Sequence, residues 1–324
     1  MGDNCQPALD IVYMWVDDSW PGYSAELNRY ARTDHDTNPN RTRNNLETLK
    51  YSLRSIERFA PWRGRIYLVS CRPQVPAWLN LAHPEVHVVH HDEFIPKSYL
   101  PTFNSFAIQS WLYKLPGLSE QFVCFDDDTF FMREAPRDLF LGQDERLRYH
   151  FAGRLPRRRR VCRKRTSPWT ESLVNSADLL NEIVRGPHPG FIHGAKLFRK
   201  RDCEEVIARW PDIFEQTWRS RFRAHNNVSL DALLPQYALA MGRAEAAGPA
   251  ATRAEVAYLG LEKSALWNRF WLGAIGRRRP IMVTLNDNFG PRPQPGAVEV
   301  ARRFLEAILP GPSGYEISDF ERQS

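Results

Sequence analysis

The chain has 324 residues, 43% hydrophobic and 25% charged, which is the make-up of a globular protein with room for one large domain or two smaller ones. No run of about 18 apolar residues occurs, which excludes a membrane-spanning helix, and the start MGDNCQPALDIVYMWVDD has no basic region feeding an apolar stretch, which predicts no secretory signal. The formal net charge of +6 is uneven: RLPRRRRVCRKR (154–165) holds eight basic residues and no acidic one, so the rest of the chain is slightly acidic. The five cysteines, Cys5, Cys71, Cys124, Cys162 and Cys203, are widely spaced with no CxxC, which predicts free thiols in a reducing cytoplasm.

In chain order, LDIVYMWVDD (9–18) reads as a buried first strand ending in carboxylates. Residues 19–45 are polar and read as a long loop. NNLETLKYSLRSIERFAPW (44–62) places Leu46, Leu49, Leu53 and Ile56 at helical spacing, with Asn44 or Asn45 as cap and Pro61 as terminator. RIYLVS (65–70) and VHVVHHDEFIP (86–96) supply two further strands. TFNSFAIQSWLYKLPGL (102–118) is a helix capped by Asn104 or Ser105, and QFVCFDD (121–127) is a strand that delivers aspartates at its end. This succession predicts a largely parallel, doubly wound α/β sheet.

Beyond the basic run the pattern turns helical, over 172–184, 201–222 with an interruption near Pro211, and 228–243. A last strand, RPIMVTLND (279–287), and a terminal helix, RRFLEAILP (302–310), follow. The organisation expected is an α/β part over 1–150, a flexible basic insertion over 151–170, and a mainly helical part over 171–324 that returns the strand 279–287 to the site.

Three strands end in acid or amide groups: Asp17-Asp18, Asp126-Asp127-Asp128 and Asn286-Asp287. Were the strands neighbours, these groups would meet on one rim, where ligands bind in open α/β sheets. Such oxygen donors suit Mg2+ or Mn2+; the plain alternative is turn formation and helix capping. Along a strand, Asp126 and Asp128 would point one way and Asp127 the other, unless the strand has already ended. His193, in GPHPGFIHGAK, is either a general base or a support of its loop. Arg221 and Arg223, in SRFRAHNN, either clamp a phosphate or are ordinary surface arginines. His90-His91-Asp92-Glu93 is not expected to bind metal, because adjacent side chains at a strand end diverge. No G-x-x-x-x-G-K-[ST], G-x-G-x-x-G or G-x-S-x-G is present, which disfavours P-loop, nicotinamide and nucleophile-elbow chemistry. The basic run suits nucleic acid, anionic lipid or a polyanionic product, or is a solvated loop; no aromatic residue interleaves it, so no single-strand stacking platform is expected.

The ordered segments resemble the Stealth proteins, a family of hexose- and hexosamine-1-phosphate transferases that includes bacterial capsule polymerases and the catalytic core of GlcNAc-1-phosphotransferase. The resemblance runs through LDIVYMWVDDSW (9–20), LKYSLRSIERFAPWRGRIYLVS with VPAWLN and LPTFNSFAIQSWLYKLPGLSEQFVCFDDD (100–128), then HGAKLFRKRDCEEVIARWPDIF and SRFRAHNNVSLDALLPQYAL (193–239), and VTLNDNFG (283–290). It implies a nucleotide-sugar-transferase-like sheet with an added helical region. It also implies transfer of sugar 1-phosphate from a nucleotide-diphosphate sugar, typically UDP-linked such as UDP-GlcNAc, to a carbohydrate hydroxyl, with release of nucleoside monophosphate.

By the same resemblance, Asp128, His193 and Arg223 are the expected catalytic residues. Trp15, Asp17, Gln109 and Asn286 are expected to bind substrate or nucleotide, and Asp127 and Asp287 to hold Mg2+ or Mn2+. The chain departs from the family where Asp126 stands for a common Asn and Gln109 for a common Glu. It is also looser over RTRNNLETLKY (41–51), and His193 stands in HGAK where a His/Pro-rich setting is usual. The expected setting is the cytoplasm, or the inner face of the cell membrane, in the synthesis of a surface or capsular polysaccharide. Segment 154–165 would meet anionic polysaccharide or the membrane surface, and no nucleic acid partner is expected. The rival readings are a glycosyltransferase releasing nucleoside diphosphate and a non-catalytic polyanion-binding protein.

Overall fold

The first apolar run forms β1 (Leu9–Met14), and its alternating side chains enter two different cores. Ile11 and Tyr13 face one cluster and Val12 the other, so both faces of the strand are covered. This computed structural model describes residues 7–33, 36–37, 46–142, 144–158, 166–290 and 292–317. Asn44, Asn45 and residues 159–165 of the basic run lie outside the described residues.

β1 is the centre of a five-stranded sheet. It pairs in parallel with β2 (Arg63–Ser70) on one side and β4 (Gln121–Asp126) on the other, and β3 (Val86–His90) lies parallel beyond β2. The far edge is β7 (Lys196–Arg199), antiparallel to β4. The order β3-β2-β1-β4-β7 is the largely parallel sheet expected, with a strand of the later chain closing its edge. One face is covered by α2 (Thr48–Phe59), which buries Leu49, Leu53 and Ile56. The other is covered by α3 (Ser105–Trp111), α5 (Lys200–Arg209) and α7 (Leu230–Ala240). Asn104 caps α3, accepting from the Phe106 amide at 3.1 Å. The helix expected over 201–222 is split at Trp210 into α5 and α6 (Pro211–Arg219), because proline starts a helix readily and disrupts its interior.

A second sheet, which no sequence pattern marks, adjoins the first. β5 (Thr129–Phe131) pairs antiparallel with β10 (Met282–Asp287), which pairs in parallel with β9 (Val256–Leu261). It is backed by α9 (Ala265–Arg278) and α10 (Pro295–Ile308). β5 has only three residues and follows the aspartates directly, too short a run for an alternation signal. The stretch read as a loop over 19–45 contains α1 (Tyr23–Tyr30), whose apolar face is only the pair Tyr23 and Leu27 at i,i+4. α4 (Pro168–Leu180) opens the second half of the chain, β6 (Leu147–Tyr149) pairs in parallel with β8 (Ala244–Ala246), and α8 (Pro249–Glu255) leads into β9.

Buried serines of α2 join the two sheets. Ser52 Oγ meets Tyr13 Oη at 2.7 Å and donates to the Thr129 carbonyl at 2.5 Å, while Ser55 Oγ accepts from the Phe131 amide at 3.0 Å. The backbone of β5 is thus tied to the helix that packs on β1.

At the opposite end of β1 from the aspartates, Asp10 is buried and accepts from the Arg65 amide at 3.0 Å, Arg65 Nη2 at 2.9 Å and the Ser119 amide at 2.9 Å. Burial alone would raise its carboxyl, but these bonds outweigh it and hold it below the usual 3.8. Its stabilising contribution is therefore fully present above the ordinary carboxylate range and is lost as pH falls through the lowered folded-state value. Asp10→Asn should cost about 1–3 kcal/mol at neutral pH in chemical denaturation. The gap from the parent chain should close in strong acid, and a gap independent of pH would refute this.

Candidate active site

β4 ends at Asp126, and the chain turns through Asp127 and Asp128 into β5. The three aspartates therefore form the joint between the two sheets. Asp126 is in register with Met14 at the end of β1, and the Asp128 carbonyl accepts from the Leu285 amide of β10 at 2.9 Å. Because the strand has ended, strand alternation does not divide the side chains. Asp126 and Asp127 share a cavity of about 200 Å3 with Trp15, His91, Ser105 and Arg223. Asp128 accepts a hydrogen bond from the Asn286 side chain.

The row is short of positive charge. Burial pushes Asp126 up, opposed by Lys196 and Arg223. Burial and the charge of Asp126 push Asp127 up to about 7, although its carboxylate accepts its own and the Asp128 amide. Asp128 stands well above the usual carboxylate range, from burial and then from its two neighbours. A fourth acid, Asp231 at the start of α7, is also raised by burial and accepts from Lys196 Nζ at 3.1 Å. Lys196 further donates to the Gly194 carbonyl and lies 4.4 Å from the centre of the Phe191 ring.

Arg223 is fixed by Ser105 at the start of α3, its Nε donating to Ser105 Oγ at 2.9 Å, and its guanidinium sits 4.6 Å from the centre of the Phe106 ring. It stands between the aspartate cavity and a larger basic cleft of about 830 Å3 that also presents Arg29, Arg32, Arg219 and Arg221. Arg221 packs over Tyr30, 4.7 Å from its ring centre. His193 stacks with Trp169 at 5.4 Å and with Tyr258 at 4.9 Å, and meets Phe191 edge-on at 4.8 Å. Burial and Lys196 press it down to about 4, so its imidazole is neutral at ordinary pH. Tyr258 is raised in turn by burial and by Asp128, which places the histidine stack beside the end of the aspartate row.

The remaining expected residues divide. Trp15 lines the cavity, and its buried indole N–H has no partner among the described residues. Asp17 closes a local turn, accepting from the Ser19 amide and hydroxyl at 2.9 and 2.6 Å, while its backbone is held by Gln74. Gln109 is buried beneath the site rather than in the cavity. Its carbonyl accepts from the Asp231 amide at 3.2 Å, and its amide group faces Cys124 Sγ at 3.8 Å. Asp287 accepts from the Phe289 amide at 2.9 Å. Among the described residues, no three His, Cys, Asp or Glu side chains are grouped to hold a metal ion. His90 is occupied with Ser70 Oγ, and the neighbouring His91 is pressed down to about 4 by burial.

The sequence does not mark Lys196, Asp231, Trp169 or Tyr258 as site residues, and it offers Ser105 only as a helix cap. Two of these carried a signal: Lys196 is a cation inside the apolar run AKLF, and Asp231 an acid inside SLDALL. A charge in an otherwise buried run needs a partner, and here each is the other's.

Residues 41–149 match the family model described as Stealth protein CR2, conserved region 2. An exopolysaccharide phosphotransferase of Streptomyces coelicolor is 33% identical over 95% of this chain and 52% of its own length. The exopolysaccharide phosphotransferase CpsY of Mycobacterium leprae is 31% identical over 97% of this chain and 58% of its own. A capsular polysaccharide phosphotransferase of Streptococcus thermophilus is 38% identical over 43% of this chain and 60% of its own. The chain thus spans about half the length of the first of these curated relatives. Among solved structures, the galactosyltransferase LgtC, held with donor and acceptor sugar analogues, aligns over 97% of this chain and 99% of its own at 12% identity. The TM-score of that alignment is 0.46.

The Lys196–Asp231 pair gives a direct test of how this floor is held. Lys196→Met should cost about 3–5 kcal/mol in chemical denaturation, because it strands a buried carboxylate. The double variant Lys196→Met/Asp231→Leu should recover most of that loss, and equal destabilisation of single and double variants would show that the pair is not coupled.

Proposed function

We propose that this chain, which matches the Stealth conserved region 2 model over residues 41–149, acts as a Stealth protein and transfers a sugar 1-phosphate from a nucleotide-diphosphate sugar to a carbohydrate hydroxyl. The curated relatives are named exopolysaccharide and capsular polysaccharide phosphotransferases, which supports a role in making a surface polysaccharide. The observation that carries the reading is the aspartate row at the joint of the two sheets, facing Arg223 across a cavity at the strand ends. That arrangement suits an anionic diphosphate whose charge must be neutralised during transfer.

In this reading the nucleotide lies towards Trp15 and the end of β1. The acceptor oxygen attacks the phosphorus nearer the sugar, the bond from that phosphorus to the bridging oxygen breaks, and nucleoside monophosphate departs. Arg223, held in place by Ser105, binds the phosphate oxygens. Asp128 takes the acceptor proton, since a carboxyl raised well above its usual range by burial and its two neighbours is a stronger base than an imidazole pressed down to about 4. His193, neutral and fixed by its ring stack, positions the transferring group.

The row's chemistry fits a hard divalent cation: its donors are carboxylate oxygens, and among the described residues Lys196 and Arg223 oppose the charge of Asp126, and Lys196 that of Asp231. Asp127 and Asp287 would hold Mg2+ or Mn2+, which would neutralise part of the diphosphate charge. Asn286 would keep Asp128 oriented through their hydrogen bond.

Identifying the nucleotide released from UDP-linked sugars, in the presence of a carbohydrate acceptor and Mg2+ or Mn2+, tests the reading. Uridine monophosphate is expected, and uridine diphosphate would make the chain a glycosyltransferase. Asp128→Asn should lower kcat by about 10²–10⁴-fold. Full turnover by that variant would remove the assignment of the base, and binding without any turnover would favour a non-catalytic protein.

A further inference from the structure

We propose that the outer face of α9 is an interfacial docking surface for an anionic lipid bilayer. The first two turns of this helix leave Leu266 80% exposed, Trp267 47%, Phe270 63% and Trp271 40%. In ALWNRFWLGAIGRR these positions fall at i, i+1, i+4 and i+5, one continuous stripe of the helix. The opposite side buries Asn268, Leu272 and Ile275, which anchor the helix against β9 and α10. The rings touch one another, Trp267 and Trp271 at 5.5 Å and Phe270 and Trp271 at 5.3 Å, so water meets a contiguous apolar ridge. A ridge of this kind is costly to leave in water and marks an interaction surface.

The charge around the ridge selects the occupant. α9 carries Arg269, Arg277 and Arg278 and is followed directly by Arg279, with no acidic residue from 265 to 279. All four arginines are exposed. At 100° per residue, Arg277 and Arg278 lie on the same stripe as Leu266, Phe270, Trp267 and Trp271, two to three turns further along. Tryptophan and phenylalanine at the headgroup level, with arginines among anionic phosphates, are what an in-plane helix presents to a bilayer. With 14 residues α9 is too short to span, and no helix among the described residues is long and apolar enough to do so. A second copy of the chain would bring like charges together. A carbohydrate offers no apolar layer for Leu266 and Phe270, the two most exposed members of the ridge.

The test uses the full chain with vesicles of phosphatidylcholine containing about one-third phosphatidylglycerol, and with pure phosphatidylcholine vesicles. Co-sedimentation and tryptophan emission are the readouts. Binding to the anionic vesicles is expected, with a blue shift of emission and weakening at high salt. Trp267→Ser/Phe270→Ser should bind about tenfold more weakly or worse. Arg277→Gln/Arg278→Gln should weaken binding to the anionic vesicles and leave the pure phosphatidylcholine control unchanged. Circular dichroism reports folding of each variant, and Leu266→Ser alone, at the most exposed position, repeats the apolar test should the double variant unfold. Failure of the parent chain to bind anionic vesicles overturns the proposal, as does unchanged binding by the apolar variants. A parent chain that sediments as a dimer, and that Trp267→Ser/Phe270→Ser converts to a monomer, overturns it in favour of a second copy. None of these outcomes bears on which nucleotide is released, so the surface and the proposed reaction fail separately.

Discussion

Three consecutive carboxylates between two buried strands repel one another, and much of the surrounding structure is arranged around that repulsion. Asp126, Asp127 and Asp128 occupy the step from β4 into β5, where the chain leaves one sheet for another. At such a step the backbone is not committed to a full ladder. The side chains can diverge, two into the cavity and one towards Asn286, and they do so. Lys196 from the edge strand β7 and Arg223 from beyond α6 approach Asp126 from the later half of the chain. Both halves are needed to offset charge that either alone would leave in a low-dielectric setting.

The same logic explains the polar groups beneath the site. Ser52 and Ser55 of α2 satisfy the backbone and hydroxyl groups that flank the joint, and Gln109 holds the first turn of α7. None of these residues reaches the cavity, yet each limits how far the aspartate row can shift. The ring stack of Trp169, His193 and Tyr258 does the same for the imidazole, leaving it neutral and oriented. Order under the site and uncompensated charge within it are consistent with a site prepared for a charged ligand.

The parts legible in the sequence were those with a repeating signal. β1, β2, β3 and β4 announce themselves as runs of β-branched, aromatic and other apolar residues, and α2 by Leu49, Leu53 and Ile56 at helical spacing. The parallel sheet followed from their order. β5, β7 and the pair Tyr23 and Leu27 of α1 were too short to register, so the second sheet and the antiparallel edge went unseen. Within the site, Asp127, Asp128 and Arg223 stood out by type and position. Their closeness to Lys196, Asp231 and Tyr258 is a tertiary fact that no spacing encodes. Gln109 shows the converse: a position marked by family resemblance whose side chain here spans Asp231 and Cys124 below the cavity.

In the proposed reaction the aspartate joint acts with a cation and Arg223 to hold a diphosphate. Calorimetric titration of a UDP-linked sugar, with Mg2+ or Mn2+ and after chelation, tests this without requiring turnover. Binding should strengthen by about tenfold or more with the metal and lose that gain in Asp127→Asn. Affinity that ignores the metal and is unchanged in both Asp127→Asn and Arg223→Ala would contradict it.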